Sequence, residues 1–223
     1  IKEIVNSGEL EHLTPERKWL EIYKTGRYLD TFFEFLMTYS AKAILFPEIL
    51  NKDCMRSSYY PSDATKLEII ASHLYGWIKA PEGIESFCQN LKVPNEYKSL
   101  ALLFSNCLDD YIYYIPDSVE NYNALLSLIK KMDIRKKDRL HSFMKCAHHR
   151  LKIKREELLA ENPNYILSSG PKIFFEELIE NINNFKLSDE DQKKPGLEIK
   201  KIIENAYREI AQDAIRKFLN KSD

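Results

Sequence analysis

Residues whose types and spacing suit chemistry on an anion fall in two stretches. The first is 130–155, where eleven basic residues (Lys130, Lys131, Arg135, Lys136, Lys137, Arg139, Lys145, Arg150, Lys152, Lys154, Arg155) face two acidic ones, Asp133 and Asp138, a net of +9. The whole chain of 223 residues carries a formal charge of −1, so any attraction to an anion has to be local. With His141, Phe143, His148 and His149 interleaved, this composition suits a footprint on a phosphate backbone, and it suits a solvated helix face equally. The second stretch is Lys193-Lys194-Pro195-Gly196-Leu197-Glu198-Ile199. Pro-Gly starts a helix here, its first-turn amides lack acceptors, Gly196 permits close approach, and the helix dipole favours an anion. Lys193, Lys194, Lys200 and Lys201 add point charges. The same residues also describe a helix that is merely well started.

Metal and nucleophile chemistry find less support. Asp109-Asp110 lacks both a third carboxylate at suitable spacing and a second acidic motif, so a solvated face is the better reading. His73, in Ala71-Ser72-His73-Leu74-Tyr75-Gly76, is followed by no Asp and by no further histidine before Glu96, and a convergent ligand set is missing. His148 and His149 are adjacent, so on a helix they diverge by about 100° and do not chelate. No Cys-His dyad, nucleophile elbow or Gly-rich phosphate loop is present.

The elements that position these residues are predicted to be helices throughout, because six glycines and nine prolines are few and apolar-periodic runs are long. The length suffices for one large domain or two smaller ones. Thr14 is placed as an N-cap with Pro15 at the first helical position, and Arg17 and Glu21 lie four apart, able to pair as structural supports. Gly26 marks a bend, Leu29, Phe32, Phe33, Leu36 and Met37 form an apolar face, and Phe46-Pro47 closes the unit. Residues 51–63 read as a connection. Ser62 or Asp63 then caps a helix ending near 77, with Leu67, Ile70, Leu74 and Trp77 inward. Further helices are predicted over 84–91, 96–115, 119–132, 137–146, 171–184 and 196–219, with 150–161 extending or succeeding the helix over 137–146. Asn162-Pro163-Asn164 is a stop, and Ile173, Phe174, Leu178 and Ile182 lie at helical spacing. Cys54, Cys88, Cys107 and Cys146 form no C-x-x-C pair, which fits reduced thiols in a cytoplasmic protein. No apolar run approaches a membrane span. The chain begins at Ile1, as a fragment or processed product would.

Four stretches in order resemble one family. Leu13-Thr14-Pro15-Glu16-Arg17-Lys18-Trp19-Leu20-Glu21, followed by Leu45-Phe46-Pro47-Glu48-Ile49, resembles the neck of bacterial tRNA nucleotidyltransferases, the CCA-adding enzymes. Gln89-Asn90-Leu91-Lys92-Val93-Pro94-Asn95-Glu96 is similar to a segment of their body, as is Leu125-Leu126 followed by Lys131-Met132-Asp133-Ile134-Arg135-Lys136. Lys194-Pro195-Gly196 with the helix after it resembles their tail signature.

The resemblance implies an all-α, multi-helix elongated array, the neck, body and tail of a class II enzyme of the poly(A) polymerase/CCA superfamily. Residues 1–50 correspond to the neck, 51–132 to body helices with a degenerate His-Asp region, and 133–223 to basic body and tail helices. It implies tRNA as partner, held at the acceptor arm and elbow, with Arg135, Lys136, Lys137, Arg139, Lys194, Gly196 and Lys200 as RNA contacts. Duplex RNA would be read by shape and phosphate. The family's Gly-Ser turn, metal-binding carboxylates and nucleotide template are absent from the sequence, so a catalytic head in cis or in trans would supply the chemistry of Mg, CTP and ATP. Two other readings remain, the RNA-binding part of a poly(A) polymerase and a freestanding helical protein-interaction module.

Overall fold

Side-chain caps fix the starts of two of the α-helices. The computed structural model describes residues 7–49, 60–114, 116, 118–161 and 170–220, and the elements among them are helices and turns. Helix α1 (Pro15–Thr25) starts as predicted, with the Thr14 hydroxyl accepting from the Arg17 amide at 3.4 Å. Gly26 turns the chain at φ +55°, a left-handed conformation without Cβ cost for glycine. Helix α2 (Leu29–Thr38) buries Leu29, Phe33 and Leu36, and the short α3 (Lys42–Leu45) with buried Phe46 closes the unit. The structure does not show the Arg17–Glu21 pair. Glu21 lies instead 3.5 Å from Lys24 Nζ. An acid preceding a base along the helix is the favoured order, and Arg17 before Glu21 is the reverse.

Helix α4 (Lys66–Ile78) is the centre of the molecule. Its sequence predicts one inward stripe, yet all ten residues from Glu68 to Trp77 are buried. The reason is its neighbours: α1, α5 (Pro81–Asn90), α6 (Asn95–Tyr113) and α8 (Lys137–Glu161) all pack on it. Its cap is Thr65, not Ser62 or Asp63. The Thr65 hydroxyl accepts from the Glu68 amide at 3.3 Å while the Glu68 carboxylate accepts from the Thr65 amide at 2.8 Å. That reciprocal box satisfies two first-turn donors at once. Gly83 lets α5 approach α4, since a Cβ there would stand 2.6 Å from Ile78 Cγ2.

Ser118 caps a short 3-10 turn, and α7 (Tyr122–Met132) begins only after it. Residues 137–161 form one continuous helix, α8, so 150–161 extends the helix that begins at 137. The stop at 162–164 and most of the connection at 51–63 lie outside the described residues. In α9 (Gly170–Asn184) Phe174, Leu178 and Ile182 face inward, but Ile173 is half exposed. Phe175 takes the inward place, stacked on Tyr111 with ring centres 4.5 Å apart. Helix α10 (Gly196–Asn220) packs on α7 and α9 and buries Ala211 and Ile215. One connected set of buried apolar side chains runs from Ile22 to Ile215.

His73 belongs to that core. It stacks on Trp77 at 5.2 Å, its Nδ1 stands 3.6 Å from Asp30 Oδ1, and burial pulls its pKa down to about 4. Burial likewise pushes the thiols of Cys88 and Cys107 up to about 11 and that of Cys146 to about 12, leaving them protonated and unreactive. Cys54 lies outside the described residues.

Candidate nucleic-acid interface

The basic stretch divides into an inward part and an outward part. Lys145, in the middle of α8, points its ammonium at Glu68 and Asp63, 3.2 Å from each carboxylate. Burial opposes its charge, but the two acids outweigh it and hold the Lys145 pKa above the ordinary value. Arg139 is also committed. Its guanidinium donates to Ser99 Oγ at 2.9 Å and to the Met132 carbonyl at 3.0 Å, fastening α8 to α6 and to the last residue of α7. Phe143 is fully buried, and His148 Nε2 meets the Tyr111 hydroxyl at 2.6 Å. Lys131 pairs with Asp110 at 3.4 Å, so the Asp109-Asp110 pair on α6 is half engaged. Among the described residues no three His, Cys, Asp or Glu side chains converge as metal ligands would.

The outward part is the elbow between α7 and α8. Asp133 ends α7 in the left-handed conformation, φ +48°, which swings the chain out before α8 begins. Its carboxylate accepts from Arg135 Nε at 2.8 Å and lies 3.7 Å from Lys136 Nζ. The hydrogen bond from Arg135 is the main reason the Asp133 carboxyl sits below the usual carboxylate range. The Arg135 side chain is nonetheless 88% exposed, and Lys136 and Lys137 are exposed beside it.

At the start of α10 the Pro195 carbonyl accepts from the amides of Glu198 at 2.9 Å and Ile199 at 3.1 Å. The amides of Gly196 and Leu197 precede that pair, at the positive end of a long helix. A Cβ at Gly196 would meet nothing within 4 Å, so the helix opens onto free space. Lys194 is tethered at 2.5 Å to Asp191, which raises its pKa, and Lys200 Nζ stands 3.9 Å from Glu204.

These two outward features meet. A groove of about 810 Å³ lies between α7, the elbow and α10, and Arg135, Gly196 and Lys200 all line it. The residues contributing them are some sixty positions apart in sequence. Lys136, Lys137, Arg139 and Lys194 are not among its lining. Three further lining residues, Tyr122, Tyr207 and Arg208, were not singled out from the sequence. The signal was available for two of them: Gly196, Lys200, Glu204 with Ile203, and Tyr207 with Arg208 recur at helical spacing along one stripe of α10. Arg208 lies over the Tyr122 ring at 5.7 Å, a cation–π contact joining α10 to α7.

Comparisons with known proteins find relatives named as CCA-adding enzymes. The chain is 31% identical over 147 residues to the CCA-adding enzyme of Coxiella burnetii, covering 65% of this chain and 39% of that protein. It is 28% identical over 186 residues to the multifunctional CCA protein of Shewanella frigidimarina, and 29% over 185 residues to that of Aliivibrio salmonicida. Those two alignments cover 66% of this chain and 44% and 45% of the relatives. About two thirds of the chain is thus a region related to the CCA-adding enzymes, and it spans less than half the length of the relatives it matches. No family model matches the chain, and no solved structure does. No helix among the described residues is long and apolar enough to cross a membrane.

Proposed function

We propose that this chain is the RNA-binding helical part of a cytoplasmic CCA-adding tRNA nucleotidyltransferase. The groove between α7 and α10 and the exposed elbow beside it hold tRNA at its acceptor arm and elbow. The 3′ end is thereby presented to a catalytic head supplied in cis or in trans. The observation that carries this reading is the convergence of Arg135 from the elbow with Gly196 and Lys200 from α10 on one groove. Arg135, Lys136, Lys137 and Lys200 contact phosphates, Lys194 and the start of α10 add to the positive end, and Arg139 holds the elbow in place. Such contacts fix register on the RNA without reading sequence.

Among the described residues the Asp109-Asp110 pair does not suit a two-magnesium nucleotidyl-transfer site, because Asp110 is paired with Lys131 and no three His, Cys, Asp or Glu side chains converge there. Magnesium, CTP and ATP chemistry belongs in this reading to the head, and the part of this chain is binding and orientation.

A competition experiment tests the proposal. Labelled tRNA bound to the chain is challenged with unlabelled tRNA and with oligo(A). Preferential displacement by tRNA is expected. Equal displacement by oligo(A) would move the assignment to a poly(A) polymerase, and absence of binding to any RNA would make the chain an interaction module.

A further inference from the structure

The groove between α7 and α10 is more than a charged surface. Its buried and half-buried lining is apolar and makes a floor of Leu126, Ile129, Ile134, Ile199 and Ile203, with half-buried Tyr207 beside it. Its rim carries Lys130, Arg135, Lys200 and Arg208 against Asp133 and Glu204. A row of duplex phosphates needs the rim alone, since phosphates on the outside of an A-form helix gain nothing from an oily floor. At about 810 Å³ the groove has the size of pockets that enclose a small organic group. An apolar floor beside an aromatic ring, under a cationic rim, fits a nucleobase attached to a phosphate. Bases become available in this form where RNA is unpaired and unstacked.

We infer that this groove receives an unpaired, splayed-out nucleotide of a structured RNA, its base on the Ile199–Ile203 floor beside Tyr207 and its phosphate on Arg135 and Lys200. This deepens the proposed function and rests on it. The chain would grip its RNA at a loop as well as along a duplex, and the loop would set where along the RNA the duplex contacts fall. Tyr207 and Arg135 line the same groove, so ring and cation face one ligand.

The test compares two RNAs on the full chain: a stem–loop and a blunt duplex of the same helical sequence. Tyr207→Leu should weaken the stem–loop by roughly tenfold, the size of one base–aromatic stack, and the duplex by less than about twofold. Tyr207→Phe, which keeps the ring, should retain stem–loop affinity. Ile203→Glu, which places a charge on the floor, is a second route and should act as Tyr207→Leu does, with thermal melting confirming that each variant is folded. Equal losses for both RNAs, or no loss for the stem–loop in either variant, would overturn the inference. If the unaltered chain binds stem–loop and duplex equally, this inference fails while the proposed function stands. If it binds neither, the proposed function fails and takes the inference with it.

Discussion

Two parts of the basic stretch carry the same residue types and do opposite things. At the elbow, Arg135, Lys136 and Lys137 are exposed, and their nearest carboxylate, Asp133, sits on the surface with them. Two turns further along α8, Lys145 has moved inward to Glu68, which is only 2% exposed. A charge among water can exchange its partner for a phosphate at little cost. A charge facing a buried carboxylate cannot leave without stranding that carboxylate in a medium where isolated charges are expensive. Net charge counted along a sequence adds these two kinds together, and only burial separates them.

The sharpest way to break the comparison is on the buried side. Lys145→Met leaves Glu68 unpaired and should cost roughly 2–4 kcal/mol of stability in urea unfolding. The double variant with Glu68→Gln should recover part of that loss. RNA affinity of the folded fraction should stay unchanged in both. A stable Lys145→Met with weakened RNA binding would place Lys145 on the functional side instead.

His73 is the second buried group to test. Its folded pKa of about 4 lies below its ordinary value of 6.5, so the unfolded chain takes up a proton first as pH falls. Stability is therefore whole above the ordinary value and drains away between about pH 6.5 and pH 4, by roughly 3 kcal/mol in total. His73→Phe should flatten that part of the stability profile, measured by urea unfolding across pH.

On the exposed side the effects move from stability to affinity. Changing Arg135, Lys136 and Lys137 together to alanine should alter stability by less than about 0.5 kcal/mol each. The same change should lower the log–log salt slope of RNA binding by about 2–3, the loss of three phosphate contacts. Lys200→Ala alone should lower it by under about 1, the smallest of these effects. An unchanged slope in the triple variant would remove the elbow from the RNA surface.

How much of this was legible in the sequence depended on the range of the interaction. Thr14-Pro15 announced a helix start because a cap involves its own first turn alone. Thr65 was passed over for Ser62 and Asp63, although Glu68 three residues on carries the signature of the capping box. Asp63 is instead a partner of Lys145, eighty-two positions away, which no local pattern displays. The burial of α4 on all sides was hidden for the same reason, since helices from four other parts of the chain supply it. For the candidate site, Arg135, Gly196 and Lys200 were each readable, but not that they share a groove. Arg139 read as a surface cation because its partners, Ser99 and the Met132 carbonyl, are set by the packing of α8 on α6 and α7.

The most direct measurement is lysine labelling of the whole chain, read by mass spectrometry with and without bound tRNA. The account predicts that Lys130, Lys136, Lys137 and Lys200 lose reactivity when RNA binds. Lys145, already held by Glu68 and Asp63, should react slowly in both states and change little. Protection confined to Lys18 and Lys24 on α1, with the elbow and α10 lysines unaffected, would contradict it.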